Sequence, residues 1–360
     1  MLFNRYVSLR IKNLQTGVVT TIPNDFRIEF DYTKQLDEAK SSSTGSIKIY
    51  GLTQQTVLQF GQLYSTVELV CGYLQNDGVA PQTLFVGQAT EISFKHDNPL
   101  SETSIAVSNR FADLNMGKKL VKSFATETPL LSILNDIVSI STPIDGLVPT
   151  QIAKDSFAVA FGFPNVTPEQ LAYLQGYKFP YGYALSGTIK EVLDELCYIV
   201  GLTWRITDQG ETIIFGFTES QEQKISRESG VPVKYDSTTT SLVLTPDSGL
   251  IGLPYIKSDV VSENYGTAHD ANSVALNREQ KYKKDGTVVT KAPKKIRVRR
   301  YTVACKALID PSIQPNSIIR LESSIIGTSG LFRVRDVKFT GDNMGDAWFM
   351  ELELSGEHIL

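Results

Sequence analysis

The stretch GLFRVRDVKFTGDNMGDAWFMELEL, residues 330–354, decides the fold. In its second half Trp348, Met350, Leu352 and Leu354 alternate with Phe349, Glu351, Glu353 and Ser355, the period of two of a half-buried strand. In its first half Phe332 and Val334 fall on one face, while Val337 and Phe339 fall on the other. A phase slip near Arg335 and Asp336 is what a β-bulge produces. The stretch reads as two antiparallel strands joined by the loop TGDNMGDAW, residues 340–348. Gly341 and Gly345 are expected to supply positive φ angles, and Asp342 and Asn343 to bond their own backbone. A calcium loop fits less well, because it needs oxygen ligands at alternate positions and a closing Glu. Asp342 and Asp346 do not have that spacing, and no Glu closes the loop.

Working outward, the 360-residue chain is 41% hydrophobic and 21% charged, enough for a sizeable core and for several units. Its net charge is -4, whereas a protein held on duplex DNA is usually basic. The N-terminal MLFNRYVSLRIKNL has no apolar core of a secretory signal, and no apolar run approaches the ~20 residues that span a bilayer. The chain is therefore expected to stay soluble, with no membrane-spanning segment. Cys71, Cys197 and Cys305 are odd in number and widely spaced, which supports neither a zinc site nor a disulfide framework. Each sits among apolar residues and reads as a small buried hydrophobe. Three histidines, His96, His269 and His358, give little material for imidazole chemistry.

Four regions follow from the patterning. Residues 1–115 read as short alternating strands, among them YVSLRIKNL, FRIEFDY, SIKIYGL and TVELVCGY, with one helix starting near Thr53. Residues 116–185 read as a helical, aromatic-rich insert. Thr128 and Pro129 predict an N-cap and first helical residue before Leu130, Leu131, Leu134, Ile137 and Val138, and Thr167, Pro168 and Gln170 open a second helix. The rings Phe157, Phe161, Phe163, Tyr173, Tyr177, Phe179, Tyr181 and Tyr183 could form a partner surface or a glycan platform, but packing of an irregular unit is the favoured reading. Residues 186–240 read as a helix plus hairpin: Thr188 and Glu191 form a capping box, Gly201 ends the helix, and LTWRI pairs with TIIFGF. Glu191, Asp194 and Glu195 fall on the polar face of that helix and read as solvated, not as a glycosidase acid pair.

Residues 241–360 hold the last strands and a basic arm, 278–300, REQKYKKDGTVVTKAPKKIRVRR. Lys284-Asp285-Gly286-Thr287 is a hairpin-turn signal, so the arm reads as a β-ribbon. Its charges could meet nucleic acid, with Tyr282 and Tyr301 but no fuller aromatic interleaving, or equally an acidic protein surface, or simply be solvated; Lys294, Lys295, Arg297 and Arg299 are its candidate protein-contact residues. No phosphate loop, nucleophile elbow or zinc-protease motif is present, and the Gly-Leu-Ile-Gly-Leu-Pro run at 249–254 leads into no helix and is broken by Pro254. No catalytic, cofactor-binding or metal-ligating residues are assigned, and the chain is not expected to be an enzyme.

Several stretches taken in order resemble the baseplate hub proteins of contractile-tailed phages, the group of the T-even and Mu hubs. They are FRIEFDY, GSIKIYGLTQQT and VELVCGY with LFVGQA at the front, the unit at 187–217, LTPDSGLIGLPYI at 244–256, CKALIDPSIQPNSIIRLES at 305–323, and the opening stretch. The residues 116–185 and the basic arm lie outside the resemblance. It implies two barrel-like β domains; with the helical insert and the helix–hairpin unit read from the patterning, the expected fold is mainly β with α+β elements. The resemblance also implies a homotrimer around a channel, adapting a six-fold tail tube protein to a three-fold central spike protein and touching other baseplate proteins. DNA would pass through without specific binding, in the tail baseplate of a virion assembled in the host cytoplasm. The alternatives are a virion-associated cell-wall hydrolase or glycan-binding tail protein, and the hub of a related contractile injection system.

Overall fold

The computed structural model describes residues 4–13, 15–35, 43–60, 65–74, 79–97, 100–109, 120–140, 160–162, 168–179, 182–206, 212–217, 221–222, 225, 228–230, 242–264, 280–282, 288–290 and 295–356. The first third is β1 (Arg5–Lys12), β2 (Val19–Ile22), β3 (Ile28–Gln35), β4 (Thr44–Tyr50), β5 (Thr66–Tyr73), β6 (Gln82–Asp97) and β7 (Leu100–Ser108). Alternation fixes their faces: Ile28, Phe30 and Tyr32 of β3 are buried, and so are Ile47 and Ile49 opposite them. The helix Gln54–Phe60 sits between β4 and β5, and the Thr53 hydroxyl accepts the Thr56 N–H at its start (3.2 Å).

The middle of the chain holds β8 (Leu120–Phe124), β9 (Thr128–Pro129), the helix Leu130–Ile140, β10 (Ala160–Gly162), the helix Pro168–Gly176, β11 (Lys178–Phe179), β12 (Tyr183–Gly187), the helix Ile189–Val200, β13 (Leu202–Ile206) and β14 (Thr212–Phe217). Thr128 and Pro129 do not cap a helix. They pair with Phe179 and Lys178 as a two-residue bridge, the Thr128 hydroxyl donates back to the Ala125 carbonyl (2.7 Å), and the helix begins one residue later. The predicted Thr188–Glu191 capping box and the left-handed Gly201 cap are both present. Leu130, Ile133, Leu134, Leu174, Val192, Leu193, Leu196, Trp204 and Phe215 close a second core.

The last third is β15 (Leu242–Leu244), β16 (Leu250–Asn264), β17 (Gln280–Tyr282), β18 (Val288–Thr290), β19 (Lys295–Ala307), β20 (Ile318–Leu321), β21 (Gly330–Asp342) and β22 (Trp348–Gly356). Among the described residues one 13-stranded sheet runs β16-β19-β22-β21-β3-β4-β7-β6-β5-β1-β2, with β20 paired to β21 and β15 to β20. The chain is thus mainly β with a few helices. The β3–β21 ladder joins the first and last thirds, and one buried cluster runs from Val7 to Leu354.

The phase slip of the opening stretch is a bulge between Val334 and Asp336. It returns Val337 and Phe339 to the face of Phe332 and Val334, and all four are buried. Neither Gly341 nor Gly345 has positive φ. Both are there for space: a Cβ on Gly341 would lie 2.3 Å from the Phe30 ring, and one on Gly345 would lie 2.0 Å from the Asp342 carboxylate. The loop also reaches far beyond itself. The Asn343 amide donates to the carbonyls of Asn24 (2.9 Å) and Phe26 (2.8 Å) and accepts the Ile28 N–H (2.8 Å). The Asp342 carboxylate accepts from Arg27 (2.8 Å) and from the Met344 N–H (3.0 Å), and Arg5 donates to the Asp342 and Gly345 carbonyls. The hairpin turn is a clamp on the N-terminal strands.

Burial pushes the Asp342 carboxyl up, but the bonds from Arg27 and from the Met344 and Gly345 amides hold it below the usual carboxylate range. A lowered pKa in the fold means that this contribution is full at neutral pH and is lost as acid protonates the group. With both oxygens of Asp342 engaged by protein donors, added calcium or a chelator is expected to leave Tm unchanged, since a ligand of the folded state would raise it. A calcium-dependent rise abolished by Asp342→Ala would reverse this reading.

The second core is tied to the large sheet by charge. Arg333 of β21, 4% exposed, donates to Glu222 at 2.7 Å and lies 3.5 Å from the Phe217 carbonyl. Arg205 of β13 donates to the Gln314 side chain (3.2 Å).

Candidate protein-interaction surface

Eight strands of the sheet, β16-β19-β22-β21-β3-β4-β7-β6, alternate in direction without a break. Among the described residues each end of this ribbon has a free edge. β16 pairs only with β19 among the described residues. β6 pairs with β5 through its first half, up to Gln88, and the Ala89 N–H still bonds the Ser65 carbonyl. From Glu91 to Asp97 it pairs, among the described residues, with β7 alone, Thr90 being bulged out of that ladder. Unpaired edges of this length invite another strand unless blocked.

The β16 edge is also apolar. The Gly-Leu-Ile-Gly-Leu-Pro run lies here: Ile251 pairs with Lys306 and Tyr255 with Ala304, so Gly252, Leu253 and Pro254 bulge against a single partner residue. Gly252 takes φ 74°, and Pro254 has no N–H to offer the edge. The bulge leaves Leu253 69% and Tyr255 60% exposed, with Ile251, Ile256 and Tyr301 exposed beside them. The β20–β21 loop brings Ile326, 94% exposed, to the same side, since a Cβ on its neighbour Gly327 would lie 3.5 Å from Ile256 Cδ1. An uncovered apolar row of this kind marks an interaction site more often than chance exposure does.

The ribbon's other face, turned from the core, is polar. Lys338 pairs with Asp31 (2.9 Å), Lys257 with Glu353 (2.9 Å) and Lys48 with Glu102 (3.7 Å). Lys306 lies over the Phe349 ring, 3.2 Å from its centroid. These four lysines are met by acids or a ring, so the face carries no uniform positive field.

No family model matches the chain, and no curated protein sequence does. Solved structures do. A tail protein from Neisseria meningitidis MC58 matches over 99% of this chain and 98% of its own at TM-score 0.56 and 11% identity. The chain has the fold of phage tail proteins. The 43 kDa tail protein of prophage MuSo2 from Shewanella oneidensis gives 0.53 at 10% identity, over 98% of both chains. A chain of the Francisella PdpA–VgrG complex gives 0.51 at 9%, over 99% of this chain and 58% of that one.

Within this tail-protein fold the sequence-derived residues fall as follows. Lys294 lies outside the described residues, as do the turn at 283–287, Phe157, Phe163, Tyr181, His269 and His358. Lys295, Arg297 and Arg299 occupy alternate positions of β19, where it runs with β16 past the end of β22 as a two-stranded ribbon. Gln280–Tyr282 pairs antiparallel with Val288–Thr290. Tyr173, Tyr177, Phe179 and Tyr183 pack on one another and on the second core, with centroids 4.8–5.6 Å apart along the series. The helix carboxylates are engaged, not merely solvated. Asp194 accepts from Trp204 Nε1 (2.8 Å) and Lys190 (2.6 Å), Glu195 from the Tyr183 hydroxyl (3.2 Å), and Glu191 from the Thr188 N–H (2.8 Å). The free edges and the Ile256–Ile326 patch were not anticipated; the alternating run ending in Gly-Leu-Pro was the available signal.

Proposed function

We propose that the chain is a structural tail-baseplate protein, a hub that assembles as a homotrimeric ring and adapts a six-fold tail tube to a three-fold spike. The supporting observation is the alternating eight-strand ribbon with a free edge at each end. Rotation about an axis that runs along the strands keeps their direction, so β6 of one copy would meet β16 of the next antiparallel, and the alternation would continue around a closed ring. Such a head-to-tail contact generates a ring when its rotation closes, and closure removes both edges. Two barrel-like units per chain, residues 1–115 and 241–360, would give three copies a pseudo-six-fold face. The ribbon's paired-charge face would line the passage, so DNA moves through without being gripped. Lys294, Lys295, Arg297 and Arg299 would meet acidic protein surface, because three such arms repel one another unless neutralised. End-on electron micrographs of the purified protein are expected to show a three-fold ring with an open centre. Images of isolated single copies at high micromolar concentration would count against the ring.

A further inference from the structure

The ring reading says that copies meet edge to edge but not how they are registered, and the two edges carry a specific answer. We propose that copies of this chain join by antiparallel pairing of β16 with the Glu91–Asp97 half of β6, with Ile256 of one copy opposite Ile92 of the next, Lys257 opposite Glu91, and Ile326 closing over the seam. The inference rests on the ring reading and adds the contact to it.

Face parity is the first constraint. Ile92 pairs with Ile105, Ile105 with Ile47, and Ile47 with Phe30, all on the core side. Ile256 pairs with Val303, and Val303 with Leu354, also on the core side. A shift of one residue would turn every side chain to the wrong face. Only registers that place Ile92 and Phe94 on the side of Ile256 survive, and these put Glu91, Ser93 and Lys95 on the side of Tyr255 and Lys257.

Charge is the second. Glu91 and Lys257 face one another in the chosen register. A shift of two in either direction loses this pair, and a shift of four in one direction sets Lys95 against Lys257. Like charges directly opposite are unfavourable across a ladder.

Barrel geometry is the third. The row from Ile92 crosses the ribbon through Phe30 and Gly341 to Trp348, whereas the row of Ile256 passes through Leu354, six positions further along β22. Six residues are about 20 Å, set against about 38 Å for eight strands, which tilts the strands by roughly 30°. That lies a little below the roughly 35–45° of closed barrels, so the offset is of the size a ring needs without itself choosing between neighbouring registers.

Ile326 is held ready for the contact. The Ser323 N–H donates to Ser329 Oγ (2.8 Å), the Ser329 hydroxyl to the Ser323 carbonyl (2.6 Å), and the Thr328 hydroxyl to the Ile325 carbonyl (2.8 Å). A loop already tied in this way loses little freedom when its tip is covered.

Facing residues of antiparallel strands bring Cα atoms about 4.5–5.5 Å apart, within disulfide reach. The native cysteines will not compete: Cys71, Cys197 and Cys305 are buried, and burial pushes Cys71 and Cys305 up to about 12. Under mild oxidation Ile92→Cys/Ile256→Cys is expected to give covalent multimers on denaturing gels, while Ser93→Cys/Ile256→Cys, off by one face, stays monomeric. Ile326→Asp is expected to weaken ring formation at least tenfold with an unchanged circular dichroism spectrum. A wild type that is itself monomeric would sink the ring reading. A wild-type ring in which the first pair fails to crosslink, or the second crosslinks better, would sink the register alone. A ring indifferent to Ile326→Asp would remove the loop from the seam.

Discussion

Trp348→Ala is expected to lower the unfolding free energy by about 3–5 kcal/mol. Trp348 opens β22 and is 4% exposed. It meets Phe30 edge-on at 6.0 Å and Tyr73 at 5.9 Å, and the Arg5 guanidinium lies 5.5 Å from its ring. These partners come from β3, from β5 and from the start of β1, so the indole packs at the junction of the first and last thirds of the chain. Truncation leaves a cavity that the Gly341–Phe30 contact cannot close, because the backbone there already touches the ring. Urea denaturation of the variant against wild type, followed by circular dichroism, measures the loss. A change below about 1 kcal/mol would be that of a surface substitution, and would contradict the placement of β22.

Glu222→Ala is expected to cost about 3 kcal/mol, the lower end for breaking a buried ion pair, because Glu222 keeps some solvent contact. The variant takes the carboxylate away from the buried Arg333 guanidinium inside the joint between the second core and β21. Adding Arg333→Met should recover most of the loss, since replacing both partners with apolar bulk leaves no buried charge. Denaturation midpoints of the two variants test this. Equal stability of Glu222→Ala and wild type would mean that the joint does not depend on the pair.

Much of the fold was legible because strand periodicity reports faces directly. Val7, Leu9 and Ile11, and Trp348 to Leu354, needed only the period of two. The Thr188–Glu191 box and Gly201 are local signals with local causes. Where distant chain segments decide, the sequence was mute. Gly341 and Gly345 look like turn glycines but are required by Phe30 and by the Asp342 side chain. Thr128 and Pro129 look like a helix start, yet the distant pair Lys178–Phe179 captures them as a strand. Lys34 occupies a core position of β3 and is buried with its ammonium 4.9 Å from the Phe339 ring centroid, which composition would not foretell. The free edges were hidden for the same reason: that a strand lacks a partner is a property of the whole sheet, not of the strand's own residues.

The ring is the central claim, and the mass of the purified protein in solution tests it most directly. Light scattering coupled to size exclusion, at high micromolar concentration and moderate salt, should return about three times the 39.8 kDa of the chain. A mass of one chain under those conditions would contradict it.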